Sequence, residues 1–109
     1  MLTRIVRHHS RVLQAQLTTD PATTATLDFR EAAGGAIAVP ADSGITAVMY
    51  YAAVMPGREP LPLCDAAGNA VVQTIVAGNV YALPDACFGV GLLAAVADAD
   101  GVVSFSLKG

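Results

Sequence analysis

Residues 36–107, AIAVPADSGITAVMYYAAVMPGREPLPLCDAAGNAVVQTIVAGNVYALPDACFGVGLLAAVADADGVVSFSL, form a series of short apolar runs cut by turn residues. The longest run is Ile45 to Val54 (ITAVMYYAAV), where Val48, Tyr50 and Tyr51 suit a pleated surface. It lacks clean alternation, which predicts burial on both faces or one face against a partner. Leu92 to Ala97 reads as a second strand. Val103, Phe105 and Leu107 alternate with Val102, Ser104 and Ser106 in a third. Ala36 to Val39 and Val80 to Leu83 are shorter strands. Leu61 with Leu63, and Ala70 to Val76, read as a hairpin across residues 65–69 (DAAGN). Residues 42–44, 55–60, 77–79 and 98–101 carry the Gly, Pro, Asn and Asp that turns require. Gly34-Gly35 reads as a flexible break, and residues 84–89 as a single helical turn or an irregular corner.

Upstream, Leu13, Ala15 and Leu17 alternate with Gln14, Gln16 and Thr18, the pattern of a half-buried strand. Thr19-Asp20-Pro21 ends it, because proline cannot donate to a ladder. Ala25, Leu27 and Phe29 then alternate against Thr24, Thr26 and Asp28. About eight short strands with these turn spacings predict an all-β fold, an antiparallel β-sandwich of jelly-roll type. The expected layout is one sandwich domain over residues 12–109, preceded by a basic N-terminal arm over residues 1–11.

The chain has 109 residues, enough for one domain with a real core. Apolar residues make up 54% and charged residues 14%, against about 25% charged in an ordinary domain. So few charges imply that another chain covers part of the surface. The net charge of −3 is unevenly spread. Residues 1–30 carry Arg4, Arg7, Arg11 and Arg30 against Asp20 and Asp28, whereas acidic side chains dominate the remainder. A basic end on an acidic body has the form of an electrostatic docking arm. Six Lys and Arg in all argue against nucleic-acid binding. The start lacks an unbroken apolar signal core, and the apolar stretch over residues 90–97 is too short to cross a bilayer. No membrane partner is expected, and synthesis in a cytoplasm is.

Chemistry-bearing groups are sparse. His8-His9 is the only histidine pair and has no nearby acid or thiol to complete a metal site. Asp98-Ala99-Asp100-Gly101 opens like a calcium loop but lacks the later ligands, and a hairpin turn accounts for it. Cys64 and Cys87 stand apart in apolar settings and read as buried thiols, bridged only if the fold brings them together. The serines have no histidine base outside the N-terminal segment and no nucleophile elbow. Asp65 and Asp85 both lie in turns. The reading is therefore of a protein without catalytic residues, metal or cofactor. Tyr50, Tyr51, Met55 and Arg58 combine residue types enriched at interfaces and are the expected subunit contact, with Arg4, Arg7 and Arg11 as the docking arm. The alternative is a carbohydrate- or ligand-binding module with Tyr50, Tyr51 and Tyr81 as a stacking platform beside the turn carboxylates.

The segment from Leu61 to Gly89 contains P-L-x-D-x-x-G-x-A-V followed by T-x-x-A-G-x-x-Y-x-L-P, and the chain closes on VSFSLKG. In these turn and core residues it resembles small β-sandwich accessory proteins of tailed-phage virions. That resemblance implies a head-decoration or cement role and a symmetric homo-oligomer, a trimer by preference. It also implies docking on the major capsid protein or another virion protein, and a place in the virion after synthesis in the host cytoplasm. It brings no catalytic residue, and the basic arm is outside the matched pattern.

Overall fold

The computed structural model describes residues 10–55 and 57–108. It contains nine strands: β1 (Ser10–Leu17), β2 (Thr26–Asp28), β3 (Gly34–Ala38), β4 (Ala47–Ala53), β5 (Leu61–Pro62), β6 (Val72–Thr74), β7 (Val80–Ala82), β8 (Leu92–Ala97) and β9 (Gly101–Lys108). One 3-10 turn, Asp85–Cys87, fills the expected corner. The first sheet runs β1-β9-β3-β7. The second runs β2-β8-β4-β5, with β6 sharing the β4 edge. All pairings are antiparallel. Early strands pair with late ones, β1 with β9 and β2 with β8, and the chain rolls up into a jelly-roll sandwich.

Alternation decides what enters the core. Ala15 and Leu17 of β1, and Val103, Phe105 and Leu107 of β9, face inward and are buried. The second sheet contributes Val48 and Tyr50 from β4, and Leu93, Ala95 and Ala97 from β8. Phe29, just past β2, meets Phe105 edge-on at 6.4 Å and stacks on Phe88 at 5.9 Å. These rings seal the sandwich where β2 hands over to β3. The one buried polar side chain among the described residues, Thr24, donates to Ala95 O at 2.6 Å.

Four expectations change. Gly34 and Gly35 are not a break but the start of β3, paired with Lys108 and Leu107. A Cβ on Gly35 would strike the Ser106 carbonyl and Leu107, so the missing side chain is what lets β3 close on β9. The hairpin across residues 65–69 is reduced to one bridge, Cys64 to Ala70, because both arms pair with β4 instead. Within it, the Asp65 carboxylate accepts from the Ala67 and Asn69 amides and shapes the turn. The two thiols also part company: Cys87 is buried, Cys64 is exposed, and both are free. Finally, Ser10 and Arg11, placed in the arm by sequence, belong to β1. Residues 1–9, with Arg4, Arg7, His8 and His9, lie outside the described residues.

Candidate functional site

The two outer sheet faces differ in kind. Cross-strand partners share a face, so the register assigns each side chain. On the first sheet, Gln14, Gln16, Ser104, Ser106 and Lys108 point outward, interrupted by Val12, Val80 and Val102. On the second, Met49 pairs with Val96 and Val72, Tyr51 with Ala94 and Pro62, and Ala53 with Leu92. That face is mostly apolar on β4, β5, β6 and β8, with the exposed hydroxyls of Thr26 and Thr74 beside Ala94 and Ala47. Its charge is confined to one margin, where Asp28 is salt-bridged to Arg30 at 2.7 Å. The Arg30 guanidinium, hydrogen-bonded to the Asp28 carboxylate, holds that carboxyl well below the usual range.

The apolar surface continues beyond the end of β4. Val54 is 79% exposed and Met55 57%, and exposed Arg58 closes a turn onto Met55 O; Leu61 pairs with Ala52 and so has the parity of the opposite face. Among the described residues no polar network holds these side chains, and single exposed hydrophobes are ordinary. Val54 and Met55 follow β4 directly in the chain, and exposed apolar side chains next to an apolar sheet face are what mark a candidate site.

Of the residues expected at a subunit contact, Tyr51 lies on the outer face by register, and Met55 and Arg58 are exposed in the segment after β4. Tyr50 does not. It is fully buried on the inner face of β4, and its hydroxyl donates to Gln73 Oε1 at 2.7 Å. Burial pushes its phenol far above the ordinary value. Adjacent strand residues point to opposite faces, so only one of the two tyrosines could lie outside. Arg11 is exposed but spoken for: its Nη2 donates to Asp28 O at 2.8 Å, tying β1 to β2 across the sandwich edge. Sequence reasoning missed Met49, Val72, Leu92 and Val96. Met49 and Val96 share no sequence signal, because only the β4–β8 register brings them together.

The tyrosine platform does not assemble. Tyr50 faces the core, Tyr81 pairs with core residue Ile37 and accepts from the Val76 amide at 2.8 Å, and Tyr51 faces out from the other sheet. The Asp98 carboxylate is occupied structurally. It accepts from the Thr46 hydroxyl and from the Thr46 and Ala47 amides, which lower its pKa. Burial pushes the Cys87 thiol up to about 12, an inert state. A shallow groove of about 540 Å³ between β3, β7 and the 3-10 turn holds one acid, Asp85, and one base, Lys108. Among the described residues no three His, Cys, Asp or Glu cluster at metal-binding distance. No helix among them is long and apolar enough to cross a membrane. No family model matches the chain, and no curated protein or solved structure matches it either.

Proposed function

We propose that this chain is a structural assembly protein, a virion accessory of the decoration or cement type. In this reading it is not an enzyme, and it acts by self-association and by docking on a capsid lattice. The observation that carries this is the contrast between the two outer faces. One is a Gln and Ser surface interrupted by three exposed valines, Val12, Val80 and Val102; the other carries half-buried Met49, Tyr51, Leu92 and Val96 beside exposed Val72, with no charge inside its margin. An antiparallel sheet exposed to water on one side normally alternates apolar-in and polar-out. A face that breaks this rule is suited to a second layer, and a further copy of the chain supplies one. Arg58, with Arg4 and Arg7 in the basic segment, then carries the positive charge toward an acidic shell surface. The resemblance to tailed-phage accessory proteins supplies the lattice in this reading, and location in the virion follows from it.

Light scattering of the full chain across a concentration series tests the proposal. A discrete oligomer is expected, and Tyr51→Asp lowers its association constant at least about tenfold, because a carboxylate would have to be desolvated at the contact. A wild-type chain that stays monomeric, alone and with the shell protein of its own particle, overturns it. The carbohydrate-binding alternative has lost its platform: two of its three tyrosines face inward.

A further inference from the structure

Among the described residues the first sheet has one long free edge, and the ladder shows which groups it leaves open. In an antiparallel strand a residue's N–H and C=O point the same way, and neighbours alternate. Ala33 donates its amide to Lys108 O, so Lys108, Ser106, Ser104 and Val102 turn toward β3. Leu107, Phe105, Val103 and Gly101 therefore turn toward β1, where they bond Arg11, Leu13, Ala15 and Leu17. Gln16, by the same parity, points away from β9, and its carbonyl does accept from the Ala25 amide at 3.2 Å on that side. Val12 and Gln14, with the backbone of Ser10, point outward with it. Among the described residues no strand lies beyond β1.

That edge lacks the usual defences. It has no proline, and no lysine or acidic side chain within Ser10–Leu17. Its single charge, Arg11, is folded back onto Asp28. The other outer strands, β2, β5, β6 and β7, have three residues or fewer. The segment at Ala25 covers the edge at Gln16, so an incoming strand has a defined stop.

We infer that β1 pairs antiparallel with β1 of a second copy about a two-fold axis through Val12, joining two β1-β9-β3-β7 sheets into one. This register sets Ser10 against Gln14, Val12 against Val12 and Gln14 against Ser10, and it satisfies every outward group from Ser10 to Gln14. A shift of two residues would push Ser10 against Gln16, whose carbonyl is taken. The pairing rests on the self-association proposed above and names one of its contacts. It is two-fold, so it builds dimers, or even-numbered assemblies with the apolar face, where the phage resemblance implies a trimer.

Cysteine trapping tests it. Opposed Cα atoms in a hydrogen-bonded antiparallel pair lie about 5.5 Å apart, within disulfide reach. In a Cys64→Ser background, Val12→Cys is expected to become mostly disulfide-linked dimer under mild oxidation. Val80→Cys, on β7 at the opposite edge and 68% exposed against 75% for Val12, is expected to stay monomeric on the same gel. Gln14→Pro removes an outward amide and leaves the β9 ladder whole, so it is expected to weaken association at least about tenfold at unchanged folding. Hydrogen exchange of the wild type adds a readout without substitutions: the Val12 and Gln14 amides gain protection as concentration rises. No Val12 cross-link, or protection of those amides independent of concentration, overturns the pairing. If the oligomer survives Gln14→Pro but is lost in Tyr51→Asp, the edge inference falls and the assembly reading stands.

Discussion

Tyr50 and Tyr51 show how much one position changes a residue's task. Tyr51 lies on the outer apolar face, while Tyr50 fills the centre of the sandwich and donates to Gln73, whose amide donates in turn to Ala82 O at 2.8 Å. This chain of bonds runs from β4 through β6 to β7 and so ties the two sheets together. Tyr50→Phe keeps the ring and removes the hydroxyl, leaving Gln73 Oε1 without its donor. The expected cost is about 1 kcal/mol, read as a lower denaturation midpoint with an unchanged slope. The sequence ITAVMYYAAV could not assign the two tyrosines, because apolar residues occupy both parities of the run. Inside and outside became distinct only when Tyr51 was paired with Ala94 and Pro62. Arg11 carries the same lesson: its charge was legible, but its partner, a backbone carbonyl on the other sheet, was not.

At the level of elements, strands with clean alternation were readable in full. β9 and the inward set of β1 match their patterns, and Leu92 to Ala97 is β8 to the residue. Strands that borrow their order from neighbours were not: β3 begins on two glycines whose value lies in what they allow Leu107 and Ser106 to do. The turn at residues 98–100 was legible as a turn, but not as a clamp. There Asp98 reaches back to the start of β4 and receives two amides and a hydroxyl. Its folded pKa is depressed, so the clamp stabilises above the unfolded value of about 3.9 and is lost as pH falls through the folded value. Asp98→Ala should lower Tm at pH 7, and the gap from wild type should narrow by pH 2. A calorimetric gap that stays constant over that range would remove the clamp from the account.

For the molecule as a whole, the order of strands in space matters more than their number. β9 follows the other eight in sequence yet lies between β1 and β3, and its register sets Lys108 against Ser10. Contacts so distant along the chain make folding slow, and refolding from denaturant is expected on the millisecond-to-second scale. A chain stopped after residue 100 should show no cooperative unfolding transition, since β1 and β3 then lose the strand that joins them and the core loses Val103, Phe105 and Leu107. Stopped-flow fluorescence from the tyrosines, and the melting curve of the truncated chain, check the two statements. Fold class was thus within reach of the sequence, and the make-up of the two outer faces was not, because it is a property of register. The late arrival of β9 also bears on biosynthesis. While the chain is still on the ribosome, Leu13, Ala15 and Leu17 wait as an open apolar edge, exposed to every other nascent copy on the same message. Translation speed and chaperone access then bear on how much protein reaches the folded state.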